Sequence, residues 1–409
     1  MKNTNPSSLL KLSLISLTMG GFSLGMTEFL MMGVLPDLSK SLHISIPEAG
    51  HLISIYALGV VIGAPLMVGI TSNIAPKKVL IALMVMVGVF NGLFALMNNY
   101  PLLMLARLLA GLPHGAFFGI GAVVASKLAQ PGKEARAVSV MFAGLTIANV
   151  IGVPLGTYIG HNFSWRLSFG VIAGVALLAA LAVKAWMPVI KSNAEGSFIK
   201  SLSIFRQKEL WLIIGISTIG TGGFFAWISY IAPLMTEIAG FPANSITMIM
   251  IVAGFGMVVG NIAGGRLADR FSPLTTTTIL LLCMVASLAL IVFLAHYKPT
   301  AILMTFLTGA VGFGMIAPMQ MLIVQQAKGA EMLASSLLQA TSNTANALGA
   351  FLGGLPIAAG LGYTSPEWVG AGLAFSGFVF CLLLIKSRKQ QQGERASLQF
   401  KGAPVAIRT

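Results

Sequence analysis

The stretch GKEARAVSVMFAGLTIANVIGVPLG, from Gly132 to Gly156, returns 197 residues later as GAEMLASSLLQATSNTANALGAFLG, from Gly329 to Gly353. Glu134 pairs with Glu331, Ala137 with Ala334 and Ser139 with Ser336. The core of the match is Ala-Asn-x-x-Gly-x-x-Leu-Gly, read from Ala148 and again from Ala345. The same offset relates Gly59 to Gly256, Gly63 to Gly260, Pro36 to Pro233 and Pro76 to Pro273. A fixed offset near half the chain length describes two structurally equivalent halves, a duplicated domain and not a short-period solenoid.

What each half is made of follows from its solvent. The 409 residues are 56% hydrophobic and 9% charged, more apolar surface than a water-soluble domain of this size can bury, so the chain belongs in a bilayer. About 20 apolar residues cross a membrane as a helix. Twelve segments qualify, at 12–35, 48–74, 79–97, 101–126, 136–160, 165–187, 210–235, 244–267, 276–295, 299–325, 333–357 and 368–386. Their length and lack of two-residue alternation exclude a membrane β-barrel. The expected fold is therefore all-α, twelve transmembrane helices in two pseudo-symmetric six-helix bundles. The first bundle spans 1–187 and the second 210–386. Between them, 188–209 is a cytoplasmic linker with a short interfacial helix, on which Phe198, Leu202 and Phe205 share a face. Residues 387–409 form a basic, mobile tail. The N-terminal apolar segment lacks a cleavage site and reads as a retained first span.

The net charge of +14 is a topology signal and not a nucleic-acid footprint. With both termini cytoplasmic, 21 of the 25 Lys and Arg residues fall on that side, three (Lys40, Arg166 and Lys298) fall outside, and Arg107 lies within a span. That is the asymmetry of a multi-pass cell (inner) membrane protein. Spans 3, 6, 9 and 12 are almost pure hydrocarbon, whereas span 11 carries Gln339, Ser342, Asn343, Thr344 and Asn346. Polar groups need internal partners in lipid, so the polar spans face a central cavity.

Glu28 is the one acid deep within a span, where an ionised carboxyl must be paired or reach water. At about 1.5 Å per residue, Glu28 and Arg107 lie about 12 and about 9 Å below the same surface, and His114 about 20 Å down the face of Arg107. A carboxyl, a guanidinium and an imidazole on neighbouring helices make a proton-handling set, with Glu28 and His114 as its titrating members. The bland alternative is a structural Glu28–Arg107 ion pair with His114 in a packing role. Trp227, Tyr230, Gln320, Gln339, Asn343, Asn346 and Asn149 supply rings and amides suited to a sugar or a mixed polar–apolar molecule. Each alone is more often a helix–helix contact.

Gly144, Gly152, Gly156 and Gly160 form a smooth stripe on span 5, and Pro154 removes a backbone hydrogen bond within it. GGRLADR closes span 8 with Arg266, Asp269 and Arg270, a candidate charge clamp or an ordinary dipole-complementing helix end. The equivalent position in the first half is Asn73, which cannot make the same clamp. Cys283 and Cys381 sit in apolar runs unsuited to a disulfide or a metal. There is no HExxH, P-loop or GxSxG, so neither an enzyme nor a cofactor or metal is expected.

RLLAGLPHGA, GVPLG, GGRLADR and the worn APKK, with GMTEFLMMGVLPDL, TIANVIGVPLGTYI and FAWISYIAP, resemble the major facilitator superfamily over nearly the whole chain. The likeness is to its twelve-helix drug:proton antiporter branch, of the arabinose-efflux permease type. Val153 departs from the glycine common before the proline, and Asn73 from the usual aspartate. The resemblance implies alternating access, with helices 1, 4, 7 and 10 lining the cavity and helix 5 against helix 8. It implies a monomer that exports sugars or drugs in exchange for protons. An uncoupled facilitator of the same fold and a non-transporting receptor are the alternatives.

Overall fold

The computed structural model describes residues 6–71, 74–130, 134–189, 202–326 and 331–401, and the regular elements among them are all helical. Twelve long helical stretches follow one another. They are α1 (Pro6–Gly33), α2 (Ile46–Thr71), α3 (Pro76–Leu96), α4 (Tyr100–Leu128), α5 (134–164) and α6 (Trp165–Trp186) in the first half. In the second half they are α7 (208–238), α8 (Ile246–Phe271), α9 (Pro273–Leu294), α10 (Lys298–Gln326), α11 (Glu331–Ala358) and α12 (Ser365–Lys401). A short helix, Leu35–Leu42, follows α1. Among the described residues ten stretches are long and apolar enough to cross a membrane, and one of these, Ala137–Trp186, contains both α5 and α6. The remaining helix is α11, the polar one.

Local chemistry sets the helix starts. Pro occupies the first turn of α3, α4, α9 and α10, where its missing N–H costs nothing. The side chains of Asn99, Ser164 and Ser272 accept from the first-turn amides of α4, α6 and α9, the usual capping arrangement. Within α5, a wide π-helical turn at Ala148–Gly152 runs directly into Val153–Pro154. This is the expected result of a proline in mid-helix.

The internal repeat is visible in the packing. A Cβ at Gly59 or Gly63 of α2 would collide with the backbone carbonyls of Leu108 and Leu112 on α4. At the repeat positions, Gly256 and Gly260 of α8 meet the carbonyls of Phe306 and Ala310 on α10 in the same way. The span-5 stripe behaves likewise. Gly144, Gly152 and Gly156 lie against Thr18, Met26 and Leu30 of α1. Gly349 and Gly353, the repeat partners of Gly152 and Gly156, lie against Gly222 and Tyr230 of α7.

The halves meet along two seams, α5 with α8 and α2 with α11. Gly254 of α8 rests on the Asn149 carbonyl, beside the π-turn. At the end of the molecule away from the termini, His51 and Phe351 lie 5.8 Å apart, ring to ring. The Tyr230 ring packs there against Gly50 and Gly354. Among the ten stretches α1 is the most enclosed, with 78% of its apolar window buried against 33% for α12.

One expectation changes. The tail drawn from residue 387 does not begin there, because α12 continues as helix to Lys401. Its Lys, Arg, Gln, Glu and Ala residues are strong helix formers, and Arg388 anchors the extension on Glu209 at 3.4 Å. Asn73 and residues 190–201, including Phe198 of the proposed interfacial helix, lie outside the described residues, whereas the other end of that helix, Leu202–Arg206, is a single 3-10 turn with the Phe205 ring 6.0 Å from Trp211.

Candidate functional site

The site forms where α1, α2 and α4 of the first half meet α11 of the second. Glu28, on α1, is 5% exposed. Its Oε2 lies 3.9 Å from His114 Nε2, and its Oε1 accepts a hydrogen bond from Asn346 Nδ2 at 3.2 Å. His114 Nδ1 is 2.8 Å from the Tyr56 hydroxyl. A phenol donates readily to an imidazole nitrogen, which leaves the ring proton on Nε2, facing the carboxyl. Glu28, His114 and Tyr56 therefore form a buried chain across three helices, with Asn346 attaching it to the other bundle.

Arg107 does not complete this chain as an ion-pair partner. Its Nε donates to Leu52 O at 3.1 Å and its Nη1 to Thr27 O at 3.0 Å, while the guanidinium lies 4.2 Å from the Tyr56 ring centroid. Equal depth put Arg107 beside Glu28. The backbone carbonyls of α1 and α2, and a ring to stack on, decided where its rigid fork went. It brackets three helices and contributes a positive field to Glu28. Its Nη2 is buried without a hydrogen-bond partner.

The expected cargo residues divide. Trp227 is fully buried, with its Nε1 unpartnered. It lies 5.8 Å from Phe224, which is 5.7 Å from Phe313, itself 6.1 Å from Phe29 of α1. This aromatic cluster reaches from α7 and α10 to the residue beside Glu28. Tyr230 is already engaged, donating to Ala350 O at 2.6 Å. Asn343 and Asn149 turn back on their own helices, to Gln339 O and Leu145 O, both at 3.0 Å. Asn343 Oδ1 remains buried and unpaired. Gln320 and Gln339 are half-buried. Asn346, expected with the other amides as a cargo residue, is instead bonded to the Glu28 carboxyl.

Among the described residues the α8 end motif makes no ion-pair clamp. Arg266, Asp269 and Arg270 are all exposed, and no ion pair to Asp269 occurs among the described residues. Arg270 instead lies 5.3 Å over the Phe271 ring.

Two residues escaped the sequence reading. Tyr56 looks like one more apolar-span aromatic, and its partner His114 is 58 residues away. Glu367 is a third buried carboxyl besides Glu28 and Glu209, 1% exposed with Oε2 unpartnered. It stands in the first turn of α12, where an acid reads as a solvated, dipole-complementing group.

The chain matches the model of the Major Facilitator Superfamily over residues 17–335. It is 40% identical to AraJ of Escherichia coli strain K12, over 94% of this chain and 98% of that one. It is 38% identical to the inner membrane transport protein YdhP of the same strain, over 93% and 97%. Among solved structures it is similar to a mutant form of the nucleoside transporter NupG, with a TM-score of 0.72 at 14% identity, covering 92% of this chain and 99% of that one.

Proposed function

The chain belongs to the Major Facilitator Superfamily and is a multi-pass membrane transporter, not an enzyme, and from that premise we propose that it exports small organic solutes in exchange for protons. Glu28 carries this reading. Its carboxyl is buried between the bundles, with an imidazole on one side and a neutral amide from the opposite half on the other. Burying an ionisable group at this depth is expensive, and groups kept there despite that cost mark ion, proton or substrate pathways. In alternating access the bundles rock about the centre, exposing the site to one side of the membrane and then the other. A carboxyl at the moving contact can take its proton on one side and release it on the other, and cargo takes the return path.

The cargo site is the aromatic cluster of Phe29, Phe224, Trp227 and Phe313. The unpartnered Trp227 Nε1 is the polar group the cluster itself carries. Orphaned buried polar atoms are rare unless something else satisfies them. Rings with a few hydrogen-bonding groups suit an amphipathic molecule with a flat or apolar face, which includes sugars and many drugs. The basic end, with both termini, faces the cytoplasm.

The test uses the purified chain in proteoliposomes with an imposed pH difference, screened against sugars, nucleosides and cationic or neutral drugs. The expected result is uphill movement of one such class that collapses when the pH difference is dissipated. Flux indifferent to the pH difference would instead make the protein a facilitator.

A further inference from the structure

Building on the proton-coupled reading, we propose that Asn346 is a positioning residue that reads the proton on Glu28 and holds the two bundles together while that proton is present. The Asn346–Glu28 hydrogen bond joins residues 318 positions apart, on α11 and α1. Both are buried, Asn346 completely. Asn346 Nδ2 is used on Oε1, but its Oδ1 is buried without any donor.

A primary amide and a protonated carboxyl are complementary. The amide N–H donates to the acid's carbonyl oxygen, and the acid O–H donates to the amide oxygen. An ionised carboxyl offers no such proton, so Oδ1 stays unsatisfied beside a negative charge, at the expense of an unmade buried bond. Turning the amide over does not change this, since the oxygen then faces Oε1 directly and again needs the acid's proton. The full set of bonds at this contact exists when Glu28 is protonated.

The repeat supplies an internal comparison. Asn149 occupies the equivalent place on α5 and donates to Leu145 O within its own helix. Asn343 does the same with Gln339 O. Of these three amides, Asn346 is the one bonded to the opposite bundle.

The charged and titratable groups around Glu28 come from the first half. His114 of α4 lies 3.9 Å away, Arg107 of α4 is fixed on Thr27 O and Leu52 O, and the Tyr56 hydroxyl of α2 is held by His114. From the second half, α10 brings Phe313 against Phe29, α7 keeps its Tyr230 hydroxyl on Ala350 O, and α11 presents the neutral Asn346 amide. The contact between Glu28 of α1 and Asn346 of α11, beside the α2–α11 seam, therefore tightens or loosens with one proton.

The experiment places spin labels at Lys127→Cys and Gln325→Cys, with Cys283→Ser, in the full chain in lipid nanodiscs. Distances are then measured from acidic to alkaline pH. The parent should move between two distance populations as pH rises. Glu28→Gln, whose amide can still donate and accept, should stay in the low-pH population at every pH. Glu28→Leu, equally uncharged but unable to bond, should stay in the high-pH population. Asn346→Ala should deplete the low-pH population about fivefold, as expected for one net hydrogen bond. Identical behaviour of the Gln and Leu variants, or a parent-like titration of Asn346→Ala, overturns the proposal. If Asn346→Ala does not fold, the Gln–Leu difference decides alone. Flux separates the two levels of the argument. A pH-driven parent with an unchanged pH profile in Asn346→Ala removes the Asn346 role and leaves proton coupling standing. A parent that no pH gradient drives removes both.

Discussion

The first and second halves share a scaffold and divide the chemistry. The glycines of α2 seat that helix on α4 as the glycines of α8 seat it on α10. At the same 197-residue offset, however, Glu28 becomes Phe225, Tyr56 becomes Ala253, Arg107 becomes Met304 and His114 becomes Val311. The first half keeps the ionisable groups around Glu28, and at the same repeat positions the second half has only apolar side chains. Duplication fixed the backbone approach distances, which tolerate little change, and left the buried side chains around Glu28 free to diverge. In the proposed exchange, the carboxyl on the first bundle and the second-half face of the aromatic cluster separate when the bundles part, so each can be loaded in turn.

The shared scaffold gives the largest expected effect. Gly63→Val and Gly260→Val each push a side chain into a backbone carbonyl, and each should destabilise by about 1–3 kcal/mol or prevent folding. Thermal unfolding in detergent should show the two alike. A tolerant Gly260 beside an intolerant Gly63 would break the equivalence of the halves.

Next comes Arg107→Lys, which keeps the charge and loses the fork. Losing one charge-assisted bond to Thr27 O or Leu52 O should cost about 1.5–3 kcal/mol, seen as a lowered unfolding temperature. Met304→Leu, at the repeat position, should cost less than about 1.5 kcal/mol.

The two buried tyrosines sharpen the contrast. Tyr56→Phe and Tyr230→Phe each remove one hydrogen bond, worth about 1 kcal/mol. Tyr56→Phe frees the His114 ring beside Glu28 and should change the pH profile of flux. Tyr230→Phe should lower stability and leave that profile in place. Parallel flux measurements over pH distinguish them. The smallest effect is expected from Asp269→Asn. This exposed acid has no ion-pair partner among the described residues, so stability in this conformation should change by less than about 0.5 kcal/mol.

The scaffold was legible because it rests on one-dimensional signals. Helix lengths follow from bilayer thickness, and the repeated glycines follow from backbone contact. Glu28 and His114 stood out for a similar reason, since lipid makes an isolated polar group conspicuous. Partner choice was not legible. Arg107 shared a depth with Glu28, but depth does not fix the azimuth of a side chain around its helix. Two backbone carbonyls captured the guanidinium instead. Asn346 read as one more amide of a polar helix, because the bond that matters crosses between bundles. Glu367 was masked by its place in a first turn, and the helical tail by the assumption that leaving lipid means leaving structure.

The most direct measurement of the central claim compares the parent with Glu28→Gln in proteoliposomes, following cargo at zero and at imposed pH difference. The parent should concentrate cargo under the pH difference and equilibrate it otherwise, while Glu28→Gln should fail to concentrate it under either condition. Undiminished concentration by Glu28→Gln, with the parent's pH profile, would contradict the account.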